Sequence, residues 1–171
     1  MEITQQQLKE ILHYDPETGI FRWRHERVNG QIKPWTIAGN IQTKGYVMLC
    51  INYIRHLGHR LAWLYMTGNW PTKGIDHIDG NRSNNKFTNL REATCKENCE
   101  NRGLSKTNKS GFRGVNFHPT SKKWLARVGH NYKQVYIGLF DTAEEANIAA
   151  IAKRAELFTH DTGRDQLNTF G

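Results

Sequence analysis

Along residues 1–70, apolar positions fall into short runs whose period keeps changing. Ile3, Leu8, Ile11 and Leu12 recur at helical spacing, with Thr4 placed to cap them. Tyr14-Asp15-Pro16-Glu17-Thr18-Gly19 breaks that pattern: Pro fixes one dihedral and Gly permits a positive one, so a turn is expected. Ile20-Phe21-Arg22-Trp23-Arg24 then alternates apolar and basic, as a strand with one wet face does. Tyr46–Ile51 and Ile54–Leu57 read as a hairpin closed by Asn52-Tyr53. From His59 to Met66 the helical period returns, ending near Gly68 with Pro71 beyond.

Residues 71–103 read as strand, loop, strand, helix. Asp76-His77 sits on the first strand, Asp79–Lys86 is a polar loop, and Phe87–Arg91 is the second strand. The helix starts at Thr94, where Thr94-x-x-Glu97 has capping-box spacing, and Asn98 follows one turn later. Residues 104–110 are polar and basic without hydrophobic period, and read as a linker. Three short strands follow, at 111–117, 123–129 and 134–138. Thr142–Leu157 is an amphipathic helix capped by Thr142 and Glu145. Its small face (Ala146, Ala149, Ala150, Ala155) suits close approach to a three-stranded sheet. The fold class is therefore α+β: a β-rich part (1–70), a compact module (71–103), a linker, a sheet-and-helix domain (111–160) and a polar tail (161–171).

Net charge changes this picture. The 171-residue chain carries +8, which favours a polyanionic partner. From Arg102 to Phe140 there are eight cations (Arg102, Lys106, Lys109, Arg113, Lys122, Lys123, Arg127, Lys133) and no acid. Phe112, Phe117, Trp124, Tyr132 and Tyr136 are interleaved among them, as on a phosphate-contacting surface. Cys50, Cys95 and Cys99 make no paired zinc pattern, so Cys95 and Cys99 are read as reduced core thiols. The N-terminus is polar and no run approaches a membrane span, so a cytoplasmic protein without membrane contact is expected. No heptad or long apolar patch suggests a dimer, and a monomer is expected.

The residues with chemistry are Asp76, His77, Asn89 and Asn98. A single-metal nuclease needs a carboxylate for the ion, a base for water and neutral groups that orient both. Mg²⁺ keeps most of its waters, so one carboxylate and one amide oxygen suffice. Adjacent residues on a strand face opposite ways, so the reading demands a twist or bulge at Asp76-His77.

Asp76-His77-Ile78-Asp79-Gly80-Asn81-Arg82-x-x-Asn85-x-x-x-Asn89-Leu90-Arg91-x-x-Thr94-x-x-x-Asn98 resembles the HNH endonucleases of the phage homing type. The resemblance implies a ββα-metal module in which Asp76 and Asn98 bind one Mg²⁺ or Mn²⁺. It also implies that His77 is the general base and that Asn89 positions it. Leu12-x-Tyr14-Asp15-Pro16-x-Thr18-Gly19 and His59-Arg60-Leu61-Ala62-Trp63 are similar to that family's leader region, where His59 is expected as a packed histidine.

The C-terminal part is similar to AP2 DNA-binding domains through Gly111-Phe112-Arg113-Gly114-Val115, Lys123-Trp124-x-Ala126 and Val135–Ala146. This implies a sheet docked in the major groove of double-stranded DNA, with Arg113 and Trp124 at positions the family uses on DNA. Lys106, Lys109, Lys122, Lys123, Arg127, Lys133 and Tyr136 complete the expected contact set. Asn116, Gly129 and Gln134 stand where plant members usually carry Arg, so base specificity does not transfer. Together these readings imply a metal-dependent DNA endonuclease, a nickase leaving 5′-phosphate and 3′-hydroxyl ends. The alternative is a DNA-binding regulator that does not cleave.

Overall fold

Thr4 starts the first helix by a reciprocal cap: its hydroxyl accepts the Gln7 N–H, and the Gln7 side chain accepts the Thr4 N–H. A computed structural model describes residues 2–27, 30–105 and 107–163. Helix α1 (Gln5–Ile11) gives way to strand β1 (Leu12–Asp15), which pairs antiparallel with β2 (Ile20–Trp23). Leu12 continues the helical spacing yet turns extended, because opposite Trp23 it reaches the core. Between the two strands Asp15 accepts the Glu17 N–H and the Thr18 hydroxyl, and Gly19 takes φ +73°.

A second sheet runs β3 (Asn40–Ile41), β4 (Val47–Ile51), β5 (Ile54–Leu57), with neighbours antiparallel. Asn52 and Tyr53 both take positive φ, the requirement of a two-residue hairpin turn that matches strand twist. Helix α2 (Gly58–Thr67) ends at Gly68 in the left-handed region and buries Leu61, Ala62 and Leu64 against Leu8, Leu12, Phe21 and Leu49. Strand β6 (Gly74–His77) pairs antiparallel with β7 (Leu90–Ala93). The expected strand at Phe87 is instead a 3₁₀ turn over Phe87–Asn89. There the Phe87 N–H goes to the Pro16 carbonyl and so cannot serve a ladder, while the Phe87 ring packs against Trp63.

The chain divides into two compact units, residues 1–94 and 95–171, so the boundary falls just before helix α3 (Cys95–Glu100). In the second unit β8 (Val115–His118), β9 (Lys123–His130) and β10 (Lys133–Phe140) form an antiparallel sheet in the order β10-β9-β8. Helix α4 (Ala143–Leu157) carries the expected Thr142–Glu145 cap and buries Ala143, Ala146 and Ala150 against Val115 and Ala126. Ala155 is exposed. Near its end Arg154, not alanine, is buried. The stretch expected as a linker is tied by its own polar side chains: Asn108 accepts from Gly111 N–H, and the Ser110 hydroxyl donates to the Val115 carbonyl. Among the described residues, no helix is long and apolar enough to cross a membrane.

Candidate active site and nucleic-acid interface

Strand β6 is buried over Ile75, Asp76 and His77, although two of the three are ionisable. Its register with β7 is regular, placing Asp76 opposite Arg91 and His77 opposite Leu90. No bulge brings the two side chains together, and they take different neighbours. Arg91 donates through Nε and Nη2 to Asp76 Oδ2, at 3.0 and 2.9 Å. Both guanidinium arms thus hold one carboxylate oxygen, an arrangement that fixes the carboxylate and balances its charge.

His77 turns into a ring cluster. His59 stands edge-on with centroids 5.0 Å apart, and Tyr46 lies at 6.1 Å. His77 Nε2 is 3.1 Å from Oδ1 of Asn85, which is 1% exposed. An amide oxygen only accepts, so Nε2 carries the proton and the lone pair belongs to Nδ1. Burial holds the His77 pKa below that of an ordinary histidine, against the upward pull of Asn85, Asp79 and Asp76. For His59, burial with His77 and Arg60 nearby pushes the pKa down to about 3, and its buried Nδ1 has no hydrogen-bond partner among the described residues. Both imidazoles are therefore neutral near pH 7.

Asn89 does not hold the imidazole. Its Oδ1 accepts the Asp79 N–H, and its Nδ2 donates to Asp79 Oδ1 and the Asn84 carbonyl. Asn89 closes the 3₁₀ turn ahead of β7, and its carbonyl takes the Ile78 N–H, so its amide stands beside the start of the Asp79 loop. Asp79 anchors this loop, receiving Asn84 Nδ2 and Asn81 N–H as well. Burial works against its charge, yet those hydrogen bonds keep its carboxyl below the usual range. Asn85 and Arg91, the actual partners of His77 and Asp76, stand inside the motif but carry no spacing signal of their own.

Asn98 is exposed on α3, in the second unit. Asp76 and Asn98 offer a carboxylate and an amide oxygen, the hard donors that suit Mg²⁺ or Mn²⁺. Among the described residues, no group of three His, Cys, Asp or Glu is placed to hold a metal, so a zinc-type cage is not part of the donor set. Cys50, Cys95 and Cys99 are free and exposed, which corrects the reading of Cys95 and Cys99 as core thiols. A six-residue helix is too short to bury the face the two would share.

The expected DNA-contacting residues divide sharply. Lys109, Lys122, Arg127, Lys133 and Tyr136 are exposed, with Arg127 and Tyr136 directly paired across β9 and β10. Lys123 is half-buried and bound to Asp141 at 3.0 Å. Trp124 packs on the α4 core and meets Phe117 edge-on. Arg113 turns inward, donating to the carbonyls of Glu100 and Cys99 at 2.9 and 3.2 Å. Its neighbour Gly114 takes φ +82° with Arg127 O close behind, so the chain bends there and delivers Arg113 to α3. Lys106 lies outside the described residues.

Residues 56–99 match the HNH endonuclease family, and residues 110–160 match the AP2 domain. Protein 3.8 of Escherichia phage T7 is 40% identical over 78 residues, covering 44% of this chain and 64% of that protein. The chain thus spans less than two thirds of the length of this phage relative. No solved structure matches it significantly. The two matches fall on the β6–β7 site and on the sheet with α4, so this chain carries a region similar to HNH endonucleases followed by a region similar to AP2 domains.

Proposed function

We propose that the protein is a metal-dependent endonuclease that nicks double-stranded DNA, a site-preferring enzyme of the homing type. The observation that carries the reading is His77: buried, neutral, with Nε2 occupied by Asn85 and its lone pair on Nδ1, one residue from Asp76 inside the HNH match. In this reading Nδ1 of His77 takes a proton from water while the water oxygen attacks phosphorus. The P–O3′ bond breaks, and the leaving 3′-oxygen takes a proton from solvent, leaving a 5′-phosphate and a 3′-hydroxyl. Asp76, held by Arg91, and Asn98 would hold the divalent ion. When bound, that ion supplies Lewis-acid stabilisation of the charge developing on the phosphoryl and leaving oxygens. Asp79, Asn84 and Asn89 keep the loop after β6 in one shape, so His77 stays where β6 puts it.

The exposed cations of the second unit would neutralise backbone phosphates, and Tyr136 with Arg127 would meet the groove. One site in one chain makes a nick, and a monomer suffices. With a phage relative, the host cytoplasm is the setting in which such a protein would meet DNA. To test the reading, supercoiled plasmid carrying candidate target DNA is incubated with the protein in Mg²⁺ or Mn²⁺, with an EDTA control. Open-circle product that appears only with metal, and that DNA ligase reseals, is expected. Tight binding without any product would instead establish the non-cleaving regulator.

A further inference from the structure

The turn from Tyr14 to Gly19 is a motif that neither metal binding nor DNA contact absorbs. It closes on the backbone that carries Asn85. The Tyr14 hydroxyl donates to the Asn85 carbonyl at 2.7 Å, and the Phe87 N–H donates to the Pro16 carbonyl at 3.0 Å. Gly19 lies directly behind: a Cβ there would stand 2.4 Å from the Asn85 carbonyl carbon. On the other side, a Cβ at Gly58 would stand 2.9 Å from Asn85 Nδ2. Tyr14 itself is locked by Phe21 and Tyr65, with ring centroids at 4.6 and 5.5 Å. Asn85 is thus walled in by backbone and small residues, with its carbonyl tied to Tyr14 and its amide oxygen on His77.

We propose that Asn85, and not Asn89, is the positioning residue of His77, and that the turn from Tyr14 to Gly19 exists to hold Asn85 in place. The inference rests on the reading of His77 as the base. A buried acceptor on Nε2 selects one tautomer and one ring orientation, and orienting groups of this kind typically contribute 10- to 100-fold. Tyr14 acts one step further out, through a single hydrogen bond.

The test uses the full chain and four variants: Asn85→Ala, Asn85→Asp, Tyr14→Phe and Asn89→Ala. Three readouts are taken: the ¹⁵N shifts of the His77 ring in metal-free protein, DNA affinity in EDTA, and single-turnover cleavage with Mg²⁺. The wild-type ring is expected as the Nε2–H tautomer. Asn85→Ala should give a mixture of tautomers and lose roughly 10- to 100-fold in rate at unchanged DNA affinity. Asn85→Asp keeps an acceptor oxygen and should restore the tautomer. Tyr14→Phe, which keeps the ring packing, should cost roughly fivefold in rate. A wild-type tautomer and rate in Asn85→Ala, or loss of the tautomer in Asn89→Ala alone, overturns the proposal. If the wild type does not cleave at all, the nuclease reading fails, while the tautomer shifts still decide whether Asn85 sets the ring.

Discussion

Burial acts in opposite ways on the histidine pair of the first unit and on the Arg154–Glu100 region of the second, while buried Asp76 of the first unit keeps an ion pair with Arg91. In the first it strips charge: His59 and His77 are packed together as neutral rings, and one buried nitrogen of His59 has no partner among the described residues. In the second it surrounds charge with hydrogen-bond partners. Arg154, 2% exposed, donates to Asp161 at 3.0 Å and to the Arg113 carbonyl at 2.9 Å. Glu100 accepts the N–H groups of Thr159 and His160 and the Thr159 hydroxyl. Charged groups tied by several hydrogen bonds hold a fold, although Glu100 Oε1 and His130 Nδ1 are buried without a hydrogen bond among the described residues. Neutral rings with proton-accepting capacity hold little together, and they are what proton transfer requires.

The strongest way to break this contrast is to remove the base. His77→Ala is expected to lower single-turnover cleavage by about 10²–10⁴-fold while DNA affinity in EDTA stays unchanged. Parallel loss of binding would show that the ring cluster is structural. Next in size is the Arg154 network. Arg154→Ala leaves the Asp161 carboxylate without its closest cation and should destabilise the second unit by about 3–5 kcal/mol, read by calorimetry of the full chain. A loss below about 1 kcal/mol would mean that the network is ornamental to stability.

Proton linkage separates the units further. The His59 pKa of about 3 lies below the ordinary 6.5, so between those values the unfolded chain binds a proton that the folded chain excludes. Stability from neutral His59 is whole above 6.5 and falls as pH drops towards 3, by up to about 1.4 kcal/mol per pH unit. His59→Gln should flatten this slope in denaturant titrations between pH 4 and 6, and an unchanged slope would refute it. The smallest effect concerns two arginines. Arg127→Ala should reduce the salt slope of DNA binding by about 1, whereas Arg113→Ala should leave it unchanged because Arg113 already serves α3.

Caps and periods were readable because they are local. Thr4, Thr142 with Glu145, Gly68 and the Asn52-Tyr53 hairpin are set by residues three or four apart, and each stands where its spacing put it. Phe87 reads as strand in the sequence because its partners, Pro16 and Trp63, are distant from it along the chain. The same holds in the site. Asp76 and His77 were legible from their motif, but a motif names residues without saying which faces which. That Asn89 pairs with Asp79 follows from the 3₁₀ turn that ends on it, and that Asn85 reaches His77 follows from a loop whose course depends on Tyr14, 71 residues from Asn85. Arg113 shows the limit of carrying a role by resemblance. Its position matches the AP2 pattern, yet its fork is spent on carbonyls of α3.

The most direct test of the central claim sets wild type beside His77→Ala on one target DNA, measuring binding in EDTA and then cleavage after Mg²⁺ is added. Equal binding is expected, with open-circle product from the wild type and almost none from His77→Ala. Equal cleavage by both proteins, or none by either despite tight binding, would contradict it.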